Sequence, residues 1–497
     1  MATASSLLQP MRLWTLPMKP EVDFVRSDIL GVLGSWSTGS GPMHLRLAAS
    51  IRDAIVSGAL LPGRRLPSER QLADLIAVSR TTVVTAYDHL REEGLLTSRR
   101  GSGTSVSPIV RPRRERTAAV PEGRTTAIVR RLITGERDVI SLAIPDWDDG
   151  AAIGCAARET IDFDLGNLLA DTGYQPRGLL ALREAIAERY SAVGLPTTAG
   201  QILITNGAHP AVLLATQLYV RPDACVVVEN PSWPAYLDIF TSAGAHLVDV
   251  PLDDDGIDTE RLDRAISATS PAFVYVMPTY HDPTGILMSA ARRQAVARIA
   301  ERHQAPIVED HSYIGLVSAG TPPPIAAFAD PQAEILNVGS LDNAVWRGLR
   351  VGWLRAPSDI IDALTYRKSV IDLGGPLIEH AIAARLLRQH NSSIVERSRE
   401  LPRRLDVLEK LLRDRLPSWR WQRPQGGIAL WVTLPRAAAT AYAQLALRHG
   451  VEVLPGPVLD PVGLDDTHIR VPFTPPPHVA AEFVNRLALA WENLRCL

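Results

Sequence analysis

Lysine is almost absent from this chain: Lys19, Lys368 and Lys410 are the only three, and every other basic residue that is not histidine is an arginine. Any chemistry that needs a lysine amine therefore has three candidates and no more. Cysteine is as scarce, with Cys155, Cys225 and Cys496 far apart and no CxxC pair. That spacing excludes a disulfide framework and a zinc site, so no metal is expected and a reducing cytoplasm is the expected compartment. No apolar run is long enough to span a bilayer, which removes a membrane from the expected partners. The N-terminus lacks a basic start followed by an apolar core, so no signal peptide is expected. A net charge of −2 gives no global attraction to nucleic acid, and any such attraction must be local.

What is present is the composition of an ordinary globular protein, 46% hydrophobic and 21% charged, over 497 residues, a length for two or three domains. Residues 1–40 are weakly patterned and read as an N-terminal extension, with "GSWSTGSGP" as a loop. From His44 the pattern turns helical, with Leu47, Ala48, Ile51 and Ile55 on one face. Ser68, with Gln71 three residues on, is a capping box that starts a second helix with Leu72, Leu75 and Ile76 on its apolar side. Ser79 caps a third helix whose buried stripe is Val83, Tyr87 and Leu90. "LLTSRRGSGTSVS" then reads as two short strands around a glycine turn.

Three helices and a glycine-tipped hairpin form the layout of a winged helix-turn-helix, placed at residues 41–107. Its third helix would enter the major groove N-terminus first. Ser79, Arg80, Thr81 and Thr82 occupy that end as donors outside the apolar stripe, and Arg80 suits a guanine edge or a phosphate. Arg64, Arg65 and Arg70 flank the second helix, whose cap Ser68 is counted with the DNA-contacting residues, and Arg99, Arg100 and Gly101 form the hairpin tip. The stretch from about 41 to 116 is clearly basic although the chain is not, which is the electrostatic footprint of a double-stranded DNA binder. "LPSERQLADLIAVSRTTVVTAYDHLREEGLLTSRRGSGTSV" closely resembles the GntR-type winged helix along its full length.

Residues 108–138, rich in proline and arginine and without periodicity, read as a linker. From 139 onward the short β-rich runs "QILIT", "CVVVE", "AFVYVM", "PIVED" and "EILNVG" alternate with helical stretches. That alternation predicts an α/β domain over 139–497, a mostly parallel sheet with helices on both faces, and a small α+β subdomain from about 375. "TNGAH" places glycine at a strand-to-helix turn, where free N–H groups favour an anion. After it come "ENPSWPAY", "PTYHDPTG", "VEDHSY", "EILNVGSLDNAVWRGLRVGW" and "HIRVPF".

In this order and spacing the motifs resemble a fold-type I pyridoxal-phosphate enzyme of the aminotransferase class, over roughly residues 140–490. A GntR winged helix ahead of such a domain resembles the MocR subfamily of transcriptional regulators. The resemblance implies roles. Gly207, Ala208 and Ser340 would lie at the cofactor phosphate with Arg350 as its charged partner. Trp233 would stack on the ring, Asp310 would pair with the pyridine nitrogen, and Tyr313 would reach the ring hydroxyl. Arg470 would clamp a ligand carboxylate bidentately.

Three positions depart from the family pattern. Asn343 stands where the Schiff-base lysine belongs, and an amide is not an amine nucleophile. Asp342 stands where a hydroxyl would donate to the phosphate; an ionised carboxylate only accepts, and such a pair at about 4 Å costs about 4 kcal/mol at an effective dielectric near 20. Asp282 replaces an asparagine that would donate to the ring hydroxyl. Lys368, in "TYRKSVID", lies in a separate helical stretch and is a poor substitute. The expectation is a cytoplasmic, homodimeric regulator with no covalently bound cofactor and no transaminase activity. Each winged helix would lean on the partner chain. The pocket would take a small effector bearing a carboxylate, or hold pyridoxal phosphate weakly and noncovalently. An active aminotransferase is the least favoured reading.

Overall fold

The computed structural model describes residues 26–33, 36–37, 41–99, 103–108, 123–134, 139–143, 150–313, 320–389 and 391–495. Near the N-terminus, helix α1 (Arg26–Leu33) precedes α2 (Met43–Val56), α3 (Glu69–Ile76) and α4 (Arg80–Glu92), and strands β1 (Leu96–Arg99) and β2 (Gly103–Val106) form the wing. The serines do what their positions dictate. The Ser68 N–H donates to Gln71 Oε1 at 3.0 Å, and the Gln71 N–H donates back to Ser68 Oγ at 3.3 Å. The Thr82 N–H donates to Ser79 Oγ at 3.1 Å. Leu47, Ile51, Leu72, Val83, Tyr87 and Leu90 close the module's core, to which α1 adds Ile29, Val32 and Leu33. Helix α1 falls within the stretch read from sequence as an unpatterned extension.

The turn between α3 and α4 does not end at solvent. Ala77 adopts φ +50 and is buried in the hydrophobic cluster of the C-terminal subdomain. The Arg448 guanidinium donates to the Ile76 carbonyl, and to the Ala77 carbonyl at 2.8 Å. These are carbonyls that the end of α3 leaves without helical partners. The module therefore leans on the C-terminal subdomain of its own chain.

Helix α5 (Thr126–Thr134) lies inside the stretch read as linker. Beyond it, β3 (Ile140–Ser141) pairs in parallel with Val451–Glu452. Strands β4 (Ile202–Thr205), β5 (Cys225–Asn230), β6 (His246–Asp253), β7 (Gly256–Ile257), β8 (Phe273–Val276), β9 (Ile307–Asp310), β10 (Ile335–Ser340) and β11 (Gly352–Arg355) form an eight-stranded sheet among the described residues. Its order is β4-β11-β10-β9-β8-β5-β6-β7. The run from β10 to β6 is parallel, and β11 is antiparallel to both its neighbours. β4, β8, β9, β10 and β11 are buried along their whole length, which is why they read as continuous apolar runs rather than alternating ones. A second, antiparallel sheet carries Arg470 on its strand His468–Pro472, between Ala429–Thr433 and Leu454–Pro455. No helix among the described residues is long and apolar enough to cross a membrane.

Candidate functional site

In an open parallel sheet the groove outside the carboxyl ends of the strands is where ligands collect. Here that groove is a cavity of about 850 Å³. Asp310 is the last residue of β9 and Ser340 the last of β10, while Trp233 and Asp282 follow β5 and β8 closely. Asp342, Asn343, Tyr313, Arg350, Ala208 and Arg470 also line the cavity. Gly207 caps the helix Ala208–Tyr219 at φ +95, and a Cβ there would approach Arg350 Nη2 to 2.7 Å. Glycine is thus required where backbone and guanidinium meet.

Asp282 and Arg470 form the electrostatic centre. Arg470 Nε donates to Asp282 Oδ1 at 2.7 Å and Nη2 donates to Oδ2 at 2.8 Å, a bidentate pair buried at both ends. Arg470 Nη1 donates to the Leu142 carbonyl at 3.3 Å, and the Tyr313 hydroxyl donates to Asp282 Oδ2 at 2.6 Å. Burial pushes the Asp282 carboxyl up, but the Arg470 charge, its hydrogen bonds and the Tyr313 hydroxyl outweigh it and hold the group below the ordinary range. The arginine expected to await a ligand carboxylate already holds one from its own chain. Sequence could not show this, because 188 residues separate the partners. Tyr313 likewise gives its proton to Asp282. The Arg470 guanidinium carbon lies 5.3 Å from the centre of the Trp233 ring.

Asp310 is held by its neighbours. The Tyr275 hydroxyl donates to Oδ2 at 2.7 Å and the Ser312 N–H donates to Oδ1 at 2.7 Å. Burial nonetheless keeps its carboxyl above the usual range. Asp342 is different. Its N–H donates to Ser340 Oγ at 3.3 Å, but its own Oδ1 is shut from solvent with no hydrogen-bond partner among the described residues. Burial pushes this carboxyl up to about 6, against the pull of Arg350 and Arg347 and a hydrogen bond from the Ser340 side chain. Arg347 Nη2 donates to Asn343 Oδ1 at 3.4 Å, and Arg397 Nη1 donates to the Asn343 carbonyl at 3.2 Å. Arg350 Nη2 donates to the Asn206 carbonyl at 2.5 Å.

No lysine lines the cavity among the described residues. Lys368 is buried in the helix Ser358–Asp372 and pairs with Asp372 at 2.8 Å. The sequence reading missed Arg347, Tyr275 and the apolar wall that Ile128 and Leu132 of α5 give the cavity. Arg347 stands three residues before Arg350, and Ile128, Val129 and Leu132 carry a helical spacing inside the arginine-rich stretch.

The raised carboxyl has a thermodynamic sign. An acid whose folded pKa lies above its unfolded value contributes stability below about pH 4, and that contribution is lost as pH rises through about 6. Asp342→Asn, which cannot ionise, should stabilise the protein by about 1–3 kcal/mol at pH 7.5 and leave it nearly unchanged at pH 4. Denaturant melts at the two pH values read this directly, and a loss of stability at pH 7.5 would contradict it.

On the N-terminal module, Ser79, Arg80 and Thr81 are exposed at the start of α4 with Thr82 beside them, and Arg65, Ser68 and Arg70 are exposed near the start of α3. Ser79 Oγ and Thr82 Oγ1 share a hydrogen bond at 2.8 Å, so the hydroxyls that cap the helix partly satisfy one another. The wing pairs Arg99 with Gly103, and Arg65 bridges to Ser105. Arg100 and Gly101 lie outside the described residues.

Residues 137–487 match the family described as aminotransferase class I and II, and residues 44–106 match the bacterial regulatory proteins of the gntR family. The chain is 30% identical to the HTH-type transcriptional regulator YisV of Bacillus subtilis, over 87% of this chain and 92% of that one. It is 30% identical to the "Probable rhizopine catabolism regulatory protein MocR" of Rhizobium meliloti, over 76% of this chain and 78% of that one. Among solved structures, an archaeal alanine:glyoxylate aminotransferase superposes with a TM-score of 0.67 at 27% identity, covering 73% of this chain and 93% of that one.

Proposed function

The chain belongs to the class I and II aminotransferase family, carries a gntR-family module and is homologous to MocR-type regulators, and from this we propose that it is a DNA-binding transcriptional regulator whose aminotransferase-like domain has given up transamination. In this reading the domain receives a small molecule and joins two chains. The observation that carries it is that no lysine lines the cavity among the described residues, while Asn343, which the resemblance sets at the Schiff-base lysine position, is held there by Arg347 and Arg397.

Folds of this class normally hold pyridoxal phosphate, and the residues here fit it poorly. Bound, that group would supply an electron sink, and Asp310, Trp233, Gly207 and Arg350 stand where they would hold it. Against this, the described lining offers no amine, Asp342 places a carboxylate by the phosphate subsite, and Asp282 is an acceptor where a donor is needed. The retained Asp310 and Trp233 favour a second reading, noncovalent binding of the cofactor. Asp342 opposes it, because its ionised form repels a phosphate dianion.

The regulator would act in the cytoplasm on duplex DNA. Affinity should fall steeply with salt as arginines displace counterions. Arg80→Ala should cost about 1–3 kcal/mol of specific binding while changing nonspecific binding little. Fluorescence anisotropy on the chain's own promoter region and on scrambled DNA tests this. Equal losses on both sequences would remove Arg80 from base reading, and no binding at all would overturn the regulator.

A homodimer is supported by apolar side chains left in the open. Phe163, Leu169, Tyr174, Tyr366 and Val370 are 69–78% exposed. The two segments carrying them are drawn together by the Arg177–Asp362 ion pair and by the approach of Gly374 to Gln175. Such a patch is the surface a second copy would cover. Light scattering should give a dimer at micromolar concentration, and Phe163→Glu with Tyr366→Glu should give a monomer. A monomeric wild-type chain would contradict the assignment.

A further inference from the structure

We propose that Arg448, although it belongs to the C-terminal subdomain, is a positioning residue for DNA: it fixes the winged helix on that subdomain, so that a dimer of this chain presents two recognition helices at one set separation and reads two half-sites at one set spacing. This rests on the reading of the chain as a dimeric DNA-binding regulator and adds what sets its spacing preference.

The turn between α3 and α4 is the first joint. Helix α3 ends in a left-handed residue, Ala77 at φ +50, and the carbonyls at that end have no helical N–H to receive. Arg448 is the last residue of the helix Ala439–Arg448, and its Nη2 donates to the Ile76 carbonyl and, at 2.8 Å, to the Ala77 carbonyl. Ala77 is buried in the apolar cluster of the subdomain, and the helix Ala439–Arg448 packs against α3. Ser79, two residues after Ala77, accepts from the Thr82 N–H and so caps α4. The held turn thus leads directly into the end of α4 that carries Ser79, Arg80 and Thr81. Those three stay exposed while the module is docked. Docking aims the reading end without covering it.

One joint alone would leave the module free to pivot. The second holds α1, which belongs to the module's core through Ile29, Val32 and Leu33. Helix α1 packs on α5, and a Cβ on Gly31 would lie 3.4 Å from the Gly123 carbonyl oxygen and 3.7 Å from Thr126 Cβ. In turn α5 is fastened to the C-terminal domain. The Arg124 and Thr125 N–H groups donate to Asp238 at 2.8 and 2.9 Å, and Arg131 Nε donates to Glu452 at 3.0 Å. Attachments on two different elements fix the module's orientation as well as its position. In a dimer, modules held in this way engage two half-sites together only at the spacing that suits them, whereas loosely tethered ones accept many spacings.

The test uses the full-length chain and duplexes that carry two copies of the half-site footprinted in its own promoter region, their separation stepped by single base pairs across two helical turns. By fluorescence anisotropy the wild type should prefer one spacing, binding it at least about tenfold more tightly than a spacing half a helical turn away. Arg448→Met should bring that ratio below about threefold, while affinity for a duplex with a single half-site changes by less than about twofold. Arg448→Lys, which keeps a donor, should fall between the two. Gly31→Cys with Thr126→Cys gives an independent check, because the Cβ separation of 3.7 Å suits a disulfide. Added to Arg448→Met, that pair should raise the spacing ratio on oxidation and lower it again on reduction. Equal affinity across the series in a dimeric wild type, a preference unchanged in Arg448→Met, a single-half-site affinity that falls as far as the paired one, or a disulfide formed between chains rather than within one would each overturn the proposal. Those outcomes leave the regulator standing. A wild type that is monomeric or binds no duplex would remove the proposal together with the reading beneath it.

Discussion

Arg470→Leu lowers the free energy of unfolding by about 3–5 kcal/mol at neutral pH, the penalty for leaving a buried carboxylate without its cation. Asp282 loses two charge-assisted hydrogen bonds and keeps only the Tyr313 hydroxyl. The pH dependence has a definite sign. In the wild type Asp282 is held below the ordinary carboxylate range, so its contribution is present above the unfolded pKa and is lost as pH falls through the folded one. Without Arg470 the carboxyl is free to protonate at mild acidity, so the deficit is largest near neutrality and shrinks toward pH 4. Asp282→Asn with Arg470→Met removes both charges and keeps an acceptor for Tyr313. The double variant should recover at least half of the single variant's loss, since replacing a buried pair outright is far less damaging than breaking it. Equal losses for the single and the double variant, by denaturant titration, would show that packing rather than charge holds this site.

The second large effect is a gain. Asp342→Ser with Asn343→Lys removes the repelling carboxylate and supplies a hydroxyl and an amine at the mouth of the β10 turn. Asp310, Trp233, Gly207 and Arg350 already border that space or lie at its edge. The double variant should take up pyridoxal phosphate covalently and turn yellow. Asn343→Lys alone should do so weakly, because Asp342 would pair with the new ammonium, hold it protonated and blunt it as a nucleophile. Asp282→Asn should then tighten the complex less than its chemistry alone suggests. It also removes the partner of Arg470, which the wild-type structure shows to be engaged on both oxygens.

These effects mark where the sequence is and is not enough. The sheet was legible because "PIVED", "AFVYVM" and "EILNVG" are short apolar runs with acidic or polar ends, and the structure buries those strands throughout. The caps at Ser68 and Ser79 were legible because capping is a contact between residues three apart. Helix α5 was hidden because it follows an arginine- and proline-rich stretch and buries Ile128 while Val129, Leu132 and Ile133 stay exposed, so no single buried face marks it. The Asp282–Arg470 pair was hidden too: no local pattern announces an ion pair between the end of one sheet and the middle strand of another. The three departures from the family pattern could be seen one by one. That Asp282 neutralises Arg470, and that Asp342 is buried between Ser340 and two arginines, required the fold.

One measurement bears most directly on the central claim that the cavity has lost its covalent cofactor chemistry. Wild-type protein and the Asp342→Ser, Asn343→Lys variant are incubated with excess pyridoxal phosphate, reduced with borohydride, and weighed intact, with peptide mapping of any adduct. The wild type should return unchanged in mass, and the variant should carry a single phosphopyridoxyl group on the lysine introduced at position 343. A wild-type chain that returns with one such group on Lys368, or on any other single lysine, would contradict the claim.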